Sequence, residues 1–458
     1  MLEKKRHLHF IGVGGYGMSA LAGIALSQGH SVSGSDLRSN KFVQHLIDQG
    51  LNFFRGHSRE NIIDLPVDFV IYSSAIKLNN PELDHFRQNG VPFLTRGEAL
   101  GLFCSGKRSI AVAGMHGKTT TTSMIAHIFQ CAGLSPTVIV GGEMLDSGTN
   151  ALAGNGDWLI TEADESDASL LYLKPEISVV TNIEEEHMDF YASSEEIESI
   201  FEKFLCCTTH SAVLCYDNEV VRSLGSRMAI PCMSYGLDHF PVHLSAKNIS
   251  SESGFLSFDL LYGETALIPV KLKMSGRHNV LNALASLAAS LCAGLPLLQA
   301  AESLATFKGV ARRMELLADA GSIRVYDDYA HHPTEVLAVL TALKNSRPES
   351  RLIAIFQPHR YSRFNYFQDA FADSLAPADS VVLTEIYGAG ELNSRNVSAS
   401  DLLPVLKGRN MPVSFIPRIS DIPAYVMEKA GSGDTVVTLG AGSITETARE
   451  IAGLIVRD

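Results

Sequence analysis

The chain has 458 residues, with 37 basic against 50 acidic side chains and a formal net charge of −13. That length predicts two or three domains, and a composition that is 46% hydrophobic and 19% charged excludes a disordered polymer. The acidic balance excludes a nucleic-acid binder working through a basic surface, and no apolar run reaches the roughly 18 residues of a membrane helix.

Residues 1–10 are charged and lead straight into a strand, without the apolar segment of a secretory signal. Residues 9–13 read as a strand, 18–28 as a helix and 31–33 as a second strand, with further strands at 69–72 and 92–94. Between the first strand and its helix stands Gly12-Val13-Gly14-Gly15-Tyr16-Gly17, a GxGxxG pattern, and Asp36 closes the next strand. Such glycines let the backbone approach a pyrophosphate, whose charge a helix N-terminus favours. The loop predicts pyrophosphate binding rather than a bare strand–helix turn, and it does not by itself specify NAD.

The pattern restarts near residues 104–107, with a strand at 109–113 and a long helix from Thr119. Gly114-Met115-His116-Gly117-Lys118-Thr119-Thr120 joins them. A loop of this kind cradles phosphates with its backbone N–H groups, Lys118 reaching the β/γ-phosphates and the Thr119 hydroxyl ligating Mg2+. It is a variant, because Val112 stands where the first glycine of GxxxxGK[ST] belongs.

An apolar strand at 157–160 runs into Thr161-Glu162-Ala163-Asp164-Glu165-Ser166-Asp167. Four acids in six residues could be a solvated loop. Their position directly after a buried strand predicts that at least one ligates the metal. Residues 177–181 form another strand, followed by Asn182-Ile183-Glu184-Glu185-Glu186-His187-Met188-Asp189, where His187 is as readily structural as a ligand. A strand at 212–215, a β-rich stretch at 233–274 and an alanine-rich helix at 278–292 complete the segment.

Beyond residues 307–310, strands at 323–326, 352–356, 381–384, 413–416 and 435–439 alternate with helices. Asp327-Asp328-Tyr329-Ala330-His331-His332-Pro333 and Gln357-Pro358-His359-Arg360-Tyr361-Ser362-Arg363 each follow a strand, where open α/β sheets bind ligands. Arg360 and Arg363 suit a carboxylate or phosphate. The expected architecture is three α/β domains: 1–104 Rossmann-like, 105–308 P-loop ATPase-like and 309–458 Rossmann-like. Seven cysteines without a CxxC pair argue against disulfides or zinc and for a reducing, cytoplasmic setting.

In their order along essentially the whole chain, these motifs resemble the Mur ligase family. The resemblance runs through HFIGVGGYGMS at 9–19, AGMHGKTTT at 113–121, TEADESDASLL at 161–171 and TNIEEEHMD at 181–189. It continues through GRHNVLNALA at 276–285, DDYAHHPTEV at 327–336 and FQPHRYSR at 356–363. It implies an ADP-forming acid–amino-acid ligase of peptidoglycan precursor synthesis, acting through an acyl phosphate. Among the family's activities, the match is strongest to the joining of L-alanine to the carboxylate of UDP-N-acetylmuramate.

The resemblance implies roles for individual residues. Gly12, Gly14, Gly15, Gly17, Met18 and Ser19 would hold the UDP pyrophosphate, with Asp36, Ser73, Ser74 and Arg96 on the uridine-sugar nucleotide. Gly114, Met115, His116, Gly117, Lys118, Thr119 and Thr120 would bind ATP, with His278, Asn279 and Asn282 on the adenine side. Arg313 would reach the phosphates and Asp328 the ATP ribose. Thr119 and Glu162 would ligate one Mg2+ and His187 a second, Mn2+ being able to substitute. Tyr329, His331, His359, Arg360 and Arg363 would position the muramoyl carboxylate and alanine.

Met115 stands where the family usually has threonine, and Glu186 where it has aspartate; neither removes a proposed contact. Several relatives carry a carbamoylated lysine downstream of the histidine, for which residues 202–209 offer Lys203 at best, and the sequence does not assign that modification. A monomer or weak homodimer is expected. The rival readings are an NAD(P)-dependent dehydrogenase, a silent nucleotide sensor and a ligase of a recycled tripeptide acting on the same UDP-sugar. The dehydrogenase reading leaves Gly117-Lys118-Thr119 unexplained.

Overall fold

The computed structural model describes residues 4–186, 191, 193–238, 241–252, 255–263, 266–320 and 323–457. They fall into two compact units, one of Met1–Lys247, Asp259–Val270 and Leu281–Lys308, the other of Asn248–Phe258, Lys271–Val280 and Gly309–Asp458.

The first sheet has five parallel strands, β1 (His7–Ile11), β2 (Ser31–Asp36), β3 (Asn52–Arg55), β4 (Phe69–Tyr72) and β5 (Phe93–Thr95), in the order β3-β2-β1-β4-β5. The order reverses between β1 and β4, which is where doubly wound sheets open a crevice for nucleotides. Strand β3 had no sequence expectation. It has four residues, half of them exposed, and adjacent phenylalanines that break the alternation of a half-buried strand.

The second sheet contains β6 (Arg108–Ala113), β7 (Thr137–Met144), β8 (Thr149–Leu152), β9 (Trp158–Glu162), β10 (Ile177–Val180), β11 (Ser211–Cys215), β12 (Cys232–Tyr235), β13 (Leu244–Glu252), β14 (Phe255–Tyr262) and β15 (Ala266–Leu272). Their order is β15-β14-β13-β12-β11-β10-β6-β9-β7-β8. Strand β6 is central, and Ile110 to Ala113 are at most 1% exposed. This is the continuous apolar run expected of a parallel strand covered on both faces.

The third sheet, in the second unit, is β16 (Glu315–Ala320), β17 (Ile323–Asp328), β18 (Leu352–Phe356), β19 (Ser380–Leu383), β20 (Val413–Phe415) and β21 (Thr435–Leu439), ordered β16-β17-β21-β18-β19-β20. The three α/β domains carry mixed sheets: β7 pairs β8 and β16 pairs β17 antiparallel. Both are neighbours in sequence, and short connections allow hairpins where parallel pairing would need a crossover. Among the described residues no helix is long and apolar enough to cross a membrane.

Candidate active site

The first glycine loop follows β1 and caps the helix Tyr16–Ser27 through Gly15. Gly12 has φ +83°, and its N–H donates to the Ser35 carbonyl at 2.8 Å. Asp36 accepts the Gly14 N–H at 2.9 Å and the Arg38 N–H at 3.2 Å, so it braces the loop that it was expected to assist. Asn40 donates to the Gly14 carbonyl at 2.8 Å. Ser73 packs 3.2 Å from where a Cβ on Gly12 would stand, and Ser74 is exposed beside it.

Met18 and Ser19 turn inward. Met18 is buried in the core, while the Ser19 hydroxyl donates to the Tyr16 carbonyl and receives Asn150. Arg96 lies over Gly17, its Cδ 3.1 Å from the position of an added Cβ. Its guanidinium is held by Asp164 at 2.9 Å and Asp167 at 3.1 Å. The first phosphate loop is thereby linked to the acidic loop after β9.

The second loop lies between β6 and the helix Lys118–Cys131. Gly114 at φ +130° has no space for a side chain, since a Cβ would stand 2.1 Å from Thr181 Oγ1. Gly117, at φ +83°, would meet Asn282 Oδ1 at 2.4 Å. These are the positions where only glycine serves. The turn is clamped from the end of β10: Asn182 Oδ1 accepts the His116 N–H at 2.9 Å and Asn182 Nδ2 donates to the His116 carbonyl at 3.0 Å. Thr181 adds a hydroxyl donation to that carbonyl at 2.6 Å. Met115 is buried in the apolar core, as suits its side chain.

Lys118 Nζ donates to the Gly114 carbonyl at 2.5 Å, the Met115 carbonyl at 3.3 Å and Glu165 Oε1 at 2.7 Å. Burial disfavours the ammonium, but Glu165, Asp164 and Glu162 outweigh it and hold the pKa above the usual lysine value. Glu162 stands opposite Val112 in the register of β6 and β9, and accepts the Gly141 N–H at 2.7 Å. Thr119 and Thr120 are buried at the start of the helix. Lys118 and Thr119 open the helix Lys118–Cys131, and Glu162 stands at the end of β9 close enough to act on the Lys118 ammonium. The donor set fits a nucleotide phosphate with a hard divalent cation. His187 lies outside the described residues.

Asn282, expected on the adenine side, packs on Gly117 and accepts from the Thr121 hydroxyl at 3.3 Å. Asn279 donates to the Ser275 carbonyl at 2.7 Å. His278, in the second unit, is pushed down to about 4 by burial and then by Arg313, against the pull of Glu335.

The second unit gathers the other predicted residues at the ends of β17 and β18. The guanidiniums of Arg312 and Arg313 lie 4.8 and 5.1 Å from the Tyr329 ring centre. His331 Nδ1 lies 2.9 Å from the Tyr329 carbonyl and 3.3 Å from Glu335, which also faces Arg313 at 3.7 Å. His359 lies 3.2 Å from Arg363 Nη1 and stacks on Tyr387. Burial, with His331, Arg363, Arg360 and Arg312 around it, pushes His359 down to about 3, so its imidazole is neutral at physiological pH. Arg360 holds φ +66° and faces Glu391 at 3.9 Å.

Asp328 accepts the N–H groups of Met314 and Ala330, each at 2.7 Å, so it fastens the chain around Arg313. Burial raises its pKa to about 7 against the pull of Arg313.

In the first unit Asn182 had no individual role in the sequence reading and Glu165 only a share in the acidic run, while in the second unit Arg312, Glu335 and Tyr387 had none. A third strand–glycine–helix junction, Gly440-Ala441-Gly442-Ser443 between β21 and the helix Ile444–Arg457, was legible from its glycines. Arg312 donates to its Gly440 carbonyl at 2.5 Å.

A strand, a glycine loop and a helix that opens with lysine and threonine beside a row of carboxylates define a phosphate-binding α/β protein of the P-loop class. Family models match in series: "Mur ligase family, catalytic domain" over residues 7–108, "Mur ligase middle domain" over 112–290 and "Mur ligase, glutamate ligase domain" over 312–442. The chain is 38% identical to the UDP-N-acetylmuramate–L-alanine ligase of Pelotomaculum thermopropionicum, covering 98% of both chains. It is 41% identical to that of Rubrobacter xylanophilus over 97% of this chain and 99% of the relative. The crystal structure of the UDP-N-acetylmuramate–alanine ligase of Thermotoga maritima superposes with a TM-score of 0.85 at 30% identity, covering 98% and 99% of the two chains. The chain belongs to the Mur ligase family.

Proposed function

We propose that the protein joins L-alanine to the carboxylate of UDP-N-acetylmuramate with conversion of ATP to ADP and phosphate, as an enzyme of peptidoglycan precursor synthesis. The observation that carries this reading is the identity of about 40% with ligases of that name across nearly the whole chain. The likeness to a murein peptide ligase of Psychrobacter arcticus, at 24% identity, is one of fold.

The reaction opposes two anions, a carboxylate and the γ-phosphate, so cationic groups must offset their repulsion. In our reading Lys118 and the N–H groups of residues 114–119 hold the triphosphate, with Arg313 on its outer oxygens. Thr119 and Glu162 would hold one Mg2+ and His187 a second, and bound ions would offset phosphate charge. The carboxylate oxygen attacks the γ-phosphorus, ADP leaves and an acyl phosphate forms. The neutral amine of alanine then attacks the acyl carbon, and inorganic phosphate departs as the nitrogen loses its proton. Arg360 and Arg363 orient a carboxylate by bidentate bonding. His359, neutral in its cationic surroundings, accepts the Arg363 N–H and so helps to orient that guanidinium.

The first glycine loop, Asp36 and the Ser73–Ser74 turn take the sugar nucleotide. The protein is expected to act in the cytoplasm as a monomer or weak homodimer. Phosphate release measured with ATP, Mg2+ and UDP-N-acetylmuramate tests the reading. It should require L-alanine and be negligible with L-alanyl-γ-D-glutamyl-meso-diaminopimelate; release with the tripeptide alone would refute the assignment. Absorbance change from nicotinamide reduction would favour a dehydrogenase instead.

A further inference from the structure

Lys118 carries three N–H donors, and each has an acceptor: two loop carbonyls and Glu165. The ammonium is folded back over the loop that should receive phosphate. A triphosphate engages it only by displacing one of these partners. The carbonyls belong to the loop itself, so Glu165 is the partner whose position is independent of the phosphate cradle.

The placement of Glu165 is deliberate in its surroundings. Its side chain is 2% exposed, which costs free energy unless a cation stands beside it. Its backbone carbonyl receives the hydroxyl of buried Tyr191, and its neighbours Asp164 and Asp167 are taken by Arg96. Glu162 receives Gly141. The loop therefore assigns its acids separately, and Glu165 is the one that touches Lys118.

We propose that Glu165 is a positioning residue of the ATP site, a carboxylate that competes with the triphosphate for Lys118 and keeps the ammonium aimed over the loop until nucleotide arrives. Nucleotide affinity is lowered by this competition. In return the lysine enters the complex charged and already oriented, so a variant lacking the carboxylate binds nucleotide better and turns over more slowly. The inference deepens the ATP-dependent reading above and rests on it for the turnover arm alone.

The test is Glu165→Gln in the full chain, which removes the charge and keeps the side-chain length. ADP affinity is measured by titration calorimetry without sugar nucleotide or amino acid, and kcat by phosphate release with all substrates. ADP should bind about tenfold more tightly, as expected when a charge-assisted bond to the lysine gives way to a neutral one, while kcat falls. A merely structural role would weaken ADP binding together with thermal stability. Unchanged or weaker ADP binding by a folded variant overturns the proposal, as does tighter binding with undiminished kcat. If Glu165→Gln does not fold, Glu165→Asp decides: its shorter carboxylate should also tighten ADP binding, and wild-type affinity there overturns the proposal. A wild-type chain that binds ADP but ligates nothing would sink the proposed reaction and leave the affinity arm intact.

Discussion

Asn182→Ala removes the clamp that fixes the His116 peptide in the second glycine loop. The side chain makes two hydrogen bonds to that peptide, at 2.9 Å to its N–H and 3.0 Å to its carbonyl. Each such bond contributes about 1 kcal/mol net, so the variant should lose about 2 kcal/mol of preference for the phosphate-ready turn. Thr181 still holds the His116 carbonyl, so the N–H loses the Asn182 oxygen while the carbonyl keeps one of its two donors. If the loss falls entirely on the loop, the KM for ATP and the Kd for ADP rise about thirtyfold, since 1.4 kcal/mol is a factor of ten. Binding of the sugar nucleotide should be untouched, because its glycine loop follows a different strand. Steady-state kinetics and ADP calorimetry measure the two nucleotide constants, and UDP titration provides the control. A change of less than twofold in both would refute the claim that Asn182 shapes the loop. An equal loss of UDP affinity would point to general unfolding instead.

Lys118→Ala should abolish turnover while UDP-sugar binding survives, and near-normal turnover would rule out the lysine's role. Gly117→Ala places a Cβ against Asn282 at a φ of +83°, a backbone penalty of about 1–2 kcal/mol before the asparagine moves. ADP binding should weaken and chemical denaturation should shift to lower denaturant, whereas wild-type ADP affinity would show the turn to be tolerant. His278 is neutral in the fold down to about pH 4, while in the unfolded chain it titrates near 6.5. The unfolded state therefore gains a proton first, and stability falls as pH drops from 6.5 to 4 by up to about 3 kcal/mol from this residue. His278→Gln should lose less stability over that window, measured by denaturation at pH 7 and pH 4.5. Parallel losses in both proteins would refute the burial argument.

The strand–glycine–helix junctions at residues 12–17 and 114–120 were legible because their signals are local: an apolar run, glycines at a turn and a helix start. Strands β3, β8 and β16 were not, being edge strands of four to six residues without regular alternation. The clusters around Tyr329 and His359 were legible as residue types after strands. Tyr387 was not, since nothing local marks a ring 28 positions on as the partner of His359, whereas Glu335 was missed although its place four residues after His331, at the third position of the helix, is a local signal.

The acidic loop shows why a site's chemistry is less legible than its location. Residues 162–167 contain four carboxylates, and their order does not say which one serves the phosphate lysine. That choice is made by cations and donors arriving from afar. Arg96, 68 positions from Asp164, takes Asp164 and Asp167, and the Gly141 N–H, 21 positions away, takes Glu162. Lys118, 47 positions away, then meets Glu165. A left-handed turn at Ala168, φ +55°, carries the chain onward into the short helix Ser169–Tyr172, which packs against Gly97 and Gly101 beyond Arg96. A Cβ on Gly97 would stand 2.5 Å from Ser169 Cβ, so the approach that delivers Arg96 depends on glycines of its own helix, Arg96–Cys104. Distinct roles among neighbouring acids follow from distinct partners. Exchanging Glu162 and Glu165 in an argument from sequence changes nothing locally, yet in the fold it exchanges a strand-end carboxylate bound by a backbone N–H for the group that holds Lys118.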